Sequence, residues 1–353
     1  MVLSPYNKGG LHLKNHLVMA PMTRSRAIDN IPNELMAQYY AQRSGAGLII
    51  TEGTSPAPEG LGYPRIPGIF SPAQVEGWRK VTDAVHAGGS RFFLQLMHTG
   101  RIGHVDNVPE GKQLVGPSAL RASGKIYTDK SGAQDFSVPV ALTTEGVEAV
   151  IEAHVTAARL AMQAGFDGVE LHGGNGYLIE QFLNPNVNTR TDAYGGSVER
   201  RAAFAIALAK EIANAIGKER AGIRFSPYNT FNDMQPYPEA EVQETYAYLA
   251  QELDRIGIAY IHVAVSPQLP AKIRDALRTA FAGTIIQCNG LTPETAEAAL
   301  QGGFADLVAF GKSFLANPDL DKRIAGQQEL NQPDLATFYS PGAKGYVDYP
   351  ALG

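Results

Sequence analysis

The stretch Asp167-Gly-Val-Glu-Leu-His172 alternates polar and apolar side chains, which is the pattern of a β-strand with two unlike faces. The two apolar residues share one face, whereas Glu170 and His172 share the other. An amphipathic stretch precedes this strand at Thr144–Ala164, and a second one follows it at Ser197–Ile216. A short strand between two helical stretches predicts one unit of a parallel α/β sheet.

The same alternation runs along the whole chain. The predicted strands are Leu17–Ala20, Gly47–Gly53, Arg91–Met97, Asp167–Leu171, Ala221–Ser226, Ile258–Val265, Gly283–Cys288 and Leu307–Phe310. The predicted helices are Asn33–Ser44, Pro72–His86, Thr144–Ala164, Ser197–Ile216, Glu239–Arg255, Leu269–Ala280, Pro293–Gln301 and Lys312–Ala316. Eight parallel strands need cover on both faces, and closure removes the sheet edges. The sequence therefore predicts an α/β fold, a (β/α)8 TIM barrel, as a single domain over residues 1–353.

Three segments fall outside this rhythm. Asn7–Asn15 precedes the first strand and predicts a small hairpin that caps the end of the barrel opposite the strand carboxyl ends. The long segments His98–Leu142 and His172–Gly196 follow the third and fourth strands. Because loops after strands form the active face of such barrels, we expect these two segments to wall a site.

Composition narrows the possible partners and surroundings. With 353 residues, 44% hydrophobic and 18% charged, the chain is expected to form a compact soluble globule. Its net charge is −5 and it has no basic run, so we expect no nucleic-acid partner. No apolar stretch approaches the roughly 20 residues of a membrane span, and Met1–Gly10 lacks a signal sequence, which predicts a cytoplasmic protein. The only cysteine, Cys288, excludes an internal disulfide and is expected to be a core thiol.

Period-2 alternation also predicts which side chains point into the barrel. Gln95 and Met97 point inward from the third strand, and Arg224 points inward from the fifth, beside Glu170 and His172. Polar groups buried in this way cost several kcal/mol each unless they are paired or bound to a ligand. We expect a ligand for Arg224 and Gln95, whereas a structural pair between Arg224 and Glu170 remains the alternative for Glu170.

Two glycine-containing turns follow the seventh and eighth strands, at Gln287-Cys-Asn-Gly290 and Phe310-Gly-Lys-Ser313. Backbone N–H groups left free in such turns can hold a phosphate, and Lys312 adds a positive charge. Together with the inward Arg and Gln, these turns predict a phosphorylated planar cofactor. Turn glycines that bind nothing remain the alternative.

The ordered motifs of the chain resemble those of the old yellow enzyme family of FMN-dependent ene-reductases, over nearly the whole length. They are Met19-Ala-Pro-Met-Thr-Arg-Ser25, Thr51-Glu-Gly53, Gln95-Leu-Met-His-Thr-Gly-Arg101, His172-Gly-Gly-Asn-Gly-Tyr177, Gln181-Phe-Leu-Asn-Pro185, Arg190-Thr-Asp-Ala-Tyr-Gly-Gly-Ser197, Arg224-Phe-Ser-Pro227, Asn317-Pro-Asp-Leu320, Thr337-Phe-Tyr339 and Gly345-Tyr-Val-Asp-Tyr349. The resemblance implies bound FMN, NADPH or NADH as reductant, and a small electron-poor alkene as substrate.

The resemblance also implies individual roles. His172 and Asn175 are similar to the donors that hold the carbonyl or nitro oxygen, and Tyr177 resembles the proton donor to the alkene. The residues that resemble cofactor ligands are Pro21, Met22, Thr23, Gly53, Gln95, Arg224, Asn289, Gly290, Gly311 and Lys312. Those that resemble walls of the substrate mouth are Met97, Phe231 and Tyr339.

The chain departs from the family pattern in three places. Met97 stands where many relatives have tryptophan, Lys312 replaces the more common arginine, and Val265–Pro270 is shorter than the usual loop. Two other functions remain open: an FMN-dependent oxidase of a hydroxy acid, and a flavin- or phenol-binding module without turnover. We expect no metal, with His98 and His104 in local hydrogen bonds, and a monomer or homodimer.

Overall fold

The structure is a computed structural model that describes residues 1–352. Its strands are β1 (Tyr6–Lys8), β2 (Leu11–Leu13), β3 (Leu17–Met19), β4 (Leu48–Ile50), β5 (Arg91–Leu96), β6 (Val115–Gly116), β7 (Lys125–Thr128), β8 (Gly132–Asp135), β9 (Val140–Ala141), β10 (Gly168–Gly173), β11 (Ala221–Phe225), β12 (Tyr260–Ala264), β13 (Thr284–Cys288) and β14 (Leu307–Phe310). Its helices are α1 (Glu34–Gln42), α2 (Pro72–Ala87), α3 (Thr144–Gln163), α4 (Leu178–Leu183), α5 (Val198–Ile216), α6 (Glu239–Ile256), α7 (Ala271–Ala280), α8 (Pro293–Gln301), α9 (Lys312–Ala316) and α10 (Leu320–Ala325).

Eight of the strands close a parallel barrel, which confirms the predicted fold. Its order is β3, β4, β5, β10, β11, β12, β13 and β14, after which β14 pairs again with β3. The helices between the strands cover the outside of the barrel, and Trp78 on α2 is completely buried there. The strand and helix positions read from the sequence agree with these elements to within a few residues.

The second barrel strand is shorter than predicted, because it ends at Ile50 and not at Gly53. Just beyond it, the backbone N–H of Glu52 donates to the Tyr40 hydroxyl at 2.8 Å. The Glu52 carboxylate, completely buried, accepts from the backbone N–H of Arg24 at 3.2 Å. The ladder to β5 is therefore interrupted at Glu52 and resumes where the Thr54 N–H donates to the Gln95 carbonyl at 2.9 Å.

The predicted hairpin caps the barrel as expected. β1 and β2 pair antiparallel, and the Tyr6 hydroxyl bonds Thr284 Oγ1 at 2.7 Å. Lys8 donates to the carbonyl of Gly283. Both partners lie at the start of β13, so the hairpin sits at the end opposite the strand carboxyl ends.

The two long segments lie at the other end of the barrel. The segment after β5 contains the antiparallel hairpin of β7 and β8 and the short pair of β6 and β9. The segment after β10 contains α4, all of whose residues are buried. The carboxyl ends of the strands are thus surrounded by side chains from both segments.

Candidate active site

A cavity of ≈ 460 Å³ opens at the carboxyl ends of the barrel strands. It is lined by Ala20, Pro21, Met22, Thr23, Arg24, Arg224, Cys288, Asn289, Gly290, Leu291, Ala309, Phe310, Gly311, Lys312, Ser313, Leu315, Phe338 and Tyr339. All the sequence-predicted cofactor residues except Gly53 and Gln95 are in this lining. The volume lies in the range of about 300 to 1,000 Å³ that is usual for cofactor sites.

The turns after β13 and β14 fit a phosphate. Asn289 and Gly290 follow each other with φ of 70° and 66°, and no atom lies within 4 Å of where a Cβ on Gly290 would stand. Gly311 precedes α9, whose first N–H groups are free of intrahelical partners, and Lys312 adds its ammonium group. Open backbone donors beside a cation suit a phosphate, and the apolar Pro21 and Met22 suit a flat ring. The residues present therefore fit FMN.

The outer wall of the cavity comes from the end of the chain and is held by buried arginines. Arg24 donates to the carbonyls of Phe338 and Gly345, at 3.1 Å and 2.8 Å. Arg26 donates to the carbonyls of Thr337, Phe338, Gly342 and Lys344. Both arginines are 1% exposed, and their hydrogen bonds fix the segment that carries Tyr339. Sequence reasoning missed this role, although both residues lie in or beside the motif around Thr23.

Gln95 and Gly53 are the two predicted cofactor residues outside this lining. Gln95 is 2% exposed and its Nε2 donates to Glu170 Oε1 at 2.8 Å. Gly53 packs against Met97, whose Sδ lies 2.3 Å from where a Cβ on residue 53 would stand. Met97 is 1% exposed and belongs to one apolar cluster with Tyr177. No larger residue fits at position 53 without moving Met97.

The alternative of a direct pair between Arg224 and Glu170 is wrong, because His262 stands between them. His262 Nδ1 lies 2.9 Å from Glu170 Oε2, and Arg224 Nη1 lies 2.5 Å from His262 Nε2. The side chains of Glu170 and His262 are both completely buried. His262 was not singled out from the sequence, although period 2 in β12 places it on the inward face opposite Arg224.

Cys288 is buried, as expected of a core thiol, but it also lines the cavity. Arg224 Nη2 lies 3.8 Å from its Sγ. Burial acts to raise the pKa of the Cys288 thiol, whereas Arg224 and His262 beside it lower that pKa, with a net value of about 7. The thiol therefore loses its proton and becomes a thiolate as the pH rises through neutrality.

The structure gives His172 one protonation state. Burial, followed by the nearby Arg224 and His262, holds the pKa of His172 well below its ordinary value, so the imidazole is neutral. Nδ1 accepts from the backbone N–H of Gly174 at 3.4 Å, which leaves the hydrogen on Nε2. In β10, His172 is in register with Arg224 of β11, so it stands next to the cavity wall although it is not in the lining.

Asn175 lies in a turn that the neighbouring loops hold in place. Its φ is 55°, its N–H donates to Ser226 Oγ at 2.7 Å, and its carbonyl accepts from Asn232 Nδ2 at 2.8 Å. The backbone is fixed in this way while the side-chain amide bonds no group within residues 1–352. Glu180 supports the same turn by accepting from the Gly176 N–H at 2.6 Å.

Tyr177 is next to His172, with the two ring centres 4.9 Å apart in an edge-to-face arrangement. Its hydroxyl lies 3.2 Å from the hydroxyl of Tyr63, a residue that the sequence did not single out. Burial, followed by the nearby Tyr63, raises the pKa of Tyr177 well above its ordinary value. The phenol therefore keeps its proton at neutral pH.

The two aromatic residues predicted at the substrate mouth are both at the surface. Phe231 is 61% exposed and Tyr339 is 62% exposed. Phe231 belongs to the loop after β11, which also carries Asn232, and Tyr339 lines the cavity. Both side chains are therefore accessible from solvent at this end of the barrel.

The histidines of the segment after β5 make local contacts. No cluster of three His, Cys, Asp or Glu side chains in residues 1–352 could hold a metal ion. His98 Nδ1 accepts from Gly100 and His104 Nδ1 accepts from Asp106, so both make the local hydrogen bonds expected. Within the same residues, no helix is both long and apolar enough to cross a bilayer.

A closed (β/α)8 barrel with open backbone donors after its last two strands and an inward Arg and Gln fits the class of FMN-binding oxidoreductases. Comparison with known proteins identifies the family within this class. Residues 2–331 match the NADH:flavin oxidoreductase / NADH oxidase family. The chain belongs to this family, that of old yellow enzyme, and is an FMN-dependent oxidoreductase that uses a nicotinamide as reductant.

The similarity covers the chain from end to end. It is 40% identical to a probable flavin mononucleotide-dependent alkene reductase of Leishmania infantum, over 100% of this chain and 98% of the relative. It is 39% identical to 12-oxophytodienoate reductase 1 of Oryza sativa subsp. japonica, over 99% and 93% of the two chains. The solved structure of morphinone reductase in complex with tetrahydroNAD superposes with a TM-score of 0.95, at 42% identity over 100% and 98%.

Proposed function

We propose that this enzyme reduces the activated C=C bond of α,β-unsaturated carbonyl, maleimide or nitro compounds. The observation that carries the proposal is the group of three side chains at the end of β10. His172 and Asn175 offer N–H donors, and Tyr177 offers a protonated phenol beside them. These groups stand next to the cavity that fits FMN.

His172 and Asn175 hold the oxygen of the substrate. Negative charge builds on a carbonyl or nitro oxygen during the reduction, and N–H donors fixed in advance stabilise that charge. The neutral His172 presents its Nε2–H, and the turn that carries Asn175 is fixed by Ser226 and Asn232. Removing one such donor costs about 3 kcal/mol of transition-state stabilisation in comparable sites.

Tyr177 donates the proton to the alkene carbon next to the carbonyl or nitro group. Its raised pKa keeps the hydroxyl protonated until a carbanion-like centre forms close to it. FMN, when bound, would supply the hydride chemistry of a ping-pong cycle between NADPH or NADH and the alkene.

The proposed cofactor ligands divide by chemistry. Thr23, Gln95 and Arg224 hold the polar edge of the flavin ring, and Pro21, Met22 and Gly53 contact the ring by backbone or apolar groups. Asn289, Gly290, Gly311 and Lys312 hold the phosphate. Gln95 uses one N–H for Glu170, and its remaining N–H and its carbonyl oxygen are available to the ring.

Met97, Phe231 and Tyr339 shape the substrate mouth. Phe231 and Tyr339 are exposed on separate loops, and Met97 lies buried between Gly53 and Tyr177. A flexible thioether at position 97 gives the substrate site a different shape from a tryptophan ring. We propose that the mouth admits small electron-poor alkenes.

The test begins with the purified enzyme, 2-cyclohexenone, N-methylmaleimide and a nitroalkene, with NADPH or NADH followed at 340 nm. Replacing His172 and Asn175 by Ala should lower kcat/KM by at least about a hundredfold. FMN content, measured by absorbance after denaturation, should stay at one per chain. Lys210→Ala, on the outside of α5, is the matched control and should leave turnover unchanged.

Tyr177→Phe separates the proton step from oxygen binding. It should leave reduction of the flavin by the nicotinamide unchanged and slow the half-reaction with cyclohexenone by about a hundredfold. An inactive wild-type enzyme that binds all three alkenes would favour the binding-module alternative. Oxidation of a hydroxy acid would use paired arginines near the substrate, but Arg24, the second arginine of the cavity lining, is bonded to the carbonyls of Phe338 and Gly345.

A further inference from the structure

The buried side chains of Glu170 and His262 connect Gln95 of β5 to Arg224 of β11. Gln95 Nε2 donates to Glu170 Oε1 at 2.8 Å, and His262 lies 2.9 Å from Glu170 Oε2. Arg224 Nη1 lies 2.5 Å from His262 Nε2. The four side chains thus form one continuous hydrogen-bonded row across the inside of the barrel. Neither the proton donor nor the substrate donors belong to this row.

The register of the sheet explains how the row forms. Glu170 of β10 is opposite Gln95 of β5, and His262 of β12 is opposite Arg224 of β11. The strand between Glu170 and β12 presents Gly222 at the level of Glu170. Residue 222 has no side chain, and the Tyr260 ring of β12 fills the space beside it.

Hydrogen-bond chemistry gives the row a single direction. A guanidinium can only donate, so His262 Nε2 carries the lone pair and Nδ1 carries the hydrogen, which it donates to Glu170. The other carboxylate oxygen accepts from Gln95, so the Nε2 of the Gln95 amide points toward Glu170. Each member therefore fixes the orientation of the next.

We propose that Glu170 and His262 are positioning residues that hold Gln95 and Arg224 in one fixed orientation for the flavin ring. This inference rests on the proposed roles of Gln95 and Arg224 as flavin ligands. With the pair intact, the Gln95 carbonyl oxygen and the Arg224 guanidinium meet the ring in fixed places. Without it, both side chains can rotate, and part of the binding free energy is lost in ordering them.

The first test replaces His262 and measures the cofactor. His262→Leu removes both hydrogen bonds, whereas His262→Gln restores one donor and one acceptor in a neutral side chain. We expect His262→Leu to bind FMN about tenfold more weakly, and its bound flavin to have a more negative reduction potential, because the Arg224 charge is no longer held at the ring. His262→Gln should recover most of both quantities.

The matched control is Ile261→Val, which trims the neighbouring buried residue of β12 on its other face. A purely structural effect would lower the melting temperature in both variants and leave the FMN dissociation constant and the potential unchanged. The dissociation constant is read from quenching of flavin fluorescence, and the potential from equilibration with a reference dye. Unchanged values in His262→Leu, or no recovery in His262→Gln, would overturn the inference.

Glu170→Gln is a second variant that tests the same proposal if His262→Leu fails to fold. Its amide brings a new donor against either Gln95 or His262, and the row can then only be satisfied if one of them reverses. We expect FMN binding to weaken here too, and an unchanged dissociation constant would contradict the proposal. Gln95→Ala and Arg224→Ala test its premise: if neither weakens FMN binding, the proposed ligand roles fail, whatever His262→Leu shows.

Discussion

Glu180 gives a stability prediction with a definite pH window. Burial raises the pKa of this carboxyl from 4.5 to about 8, against the hydrogen bonds from Gly176, Asn229 and Ser226 that lower it. Glu180 is 5% exposed. The surrounding Tyr237 and Tyr246 have raised pKa values and stay neutral in this range, so Glu180 titrates without them.

The raised pKa means that the folded protein holds a proton that the unfolded chain releases. The stabilisation is complete below pH 4.5 and is lost as the pH rises through about 8. The loss proceeds at about 1.4 kcal/mol per pH unit, which amounts to about 4 kcal/mol between pH 5 and pH 8. Glu180→Gln is always neutral, so its free energy of unfolding lacks this decline.

We therefore expect the stability of Glu180→Gln, relative to that of the wild type, to increase as the pH rises. This holds although the variant lacks the carboxyl group next to the Asn175 turn. For a chain of this length, about 4 kcal/mol corresponds to about 5 °C in melting temperature. The assay is circular-dichroism melting of the FMN-free protein at each unit from pH 5 to pH 9.

Two controls isolate the effect. Glu211→Gln changes an exposed carboxylate on α5 and should follow the wild type at every pH. Cys288→Ser removes one of the two other groups whose pKa is shifted to about 7, the second being Glu52, and should leave the Glu180 difference intact. Melting curves of Glu180→Gln and wild type that stay parallel from pH 5 to pH 8 would refute the reasoning.

Three further variants test the packing around the site. Gly222→Ala places a Cβ 2.3 Å from the Tyr260 ring and should lower the free energy of unfolding by about 1 to 3 kcal/mol in urea titrations, whereas Gly302→Ala, with no contact under 3.3 Å, should not. Arg26→Met leaves the carbonyls of the terminal segment without their donor, so trypsin should cut at Lys344 faster than in the wild type. Met97→Trp overpacks the space between Gly53 and Tyr177 and should lower the melting temperature. An unchanged melting temperature would contradict the tight packing of Met97 against Gly53.

Local patterns in the sequence were enough to predict the barrel and most of the predicted cofactor residues that line the cavity. Strands such as Leu307–Phe310 and helices such as Pro293–Gln301 have the predicted bounds, because apolar runs and capping residues act within one element. Gly290 and Gly311 were predicted because glycines in turns after strands are a local signal, and both line the cavity, as does Asn289 beside Gly290. The expected hairpin at Asn7–Asn15 follows from the same kind of evidence.

Partners across the barrel were harder to predict. Period 2 places Glu170, Arg224 and Gln95 on inward faces, but it does not say which of them meet. That depends on the stagger between strands, which brings Glu170 to His262 in place of Arg224.

What the sequence alone determined, then, is the order of strands and helices, the faces of the strands and the family motifs, all of which are carried by residues close together in the chain. The tertiary structure decided the row from Gln95 to Arg224, the arginines that hold the terminal segment, and the placement of Glu180 under the Asn175 turn. Each of these joins residues from distant parts of the chain, and a contact of that kind is selected by the closed barrel and by desolvation within it.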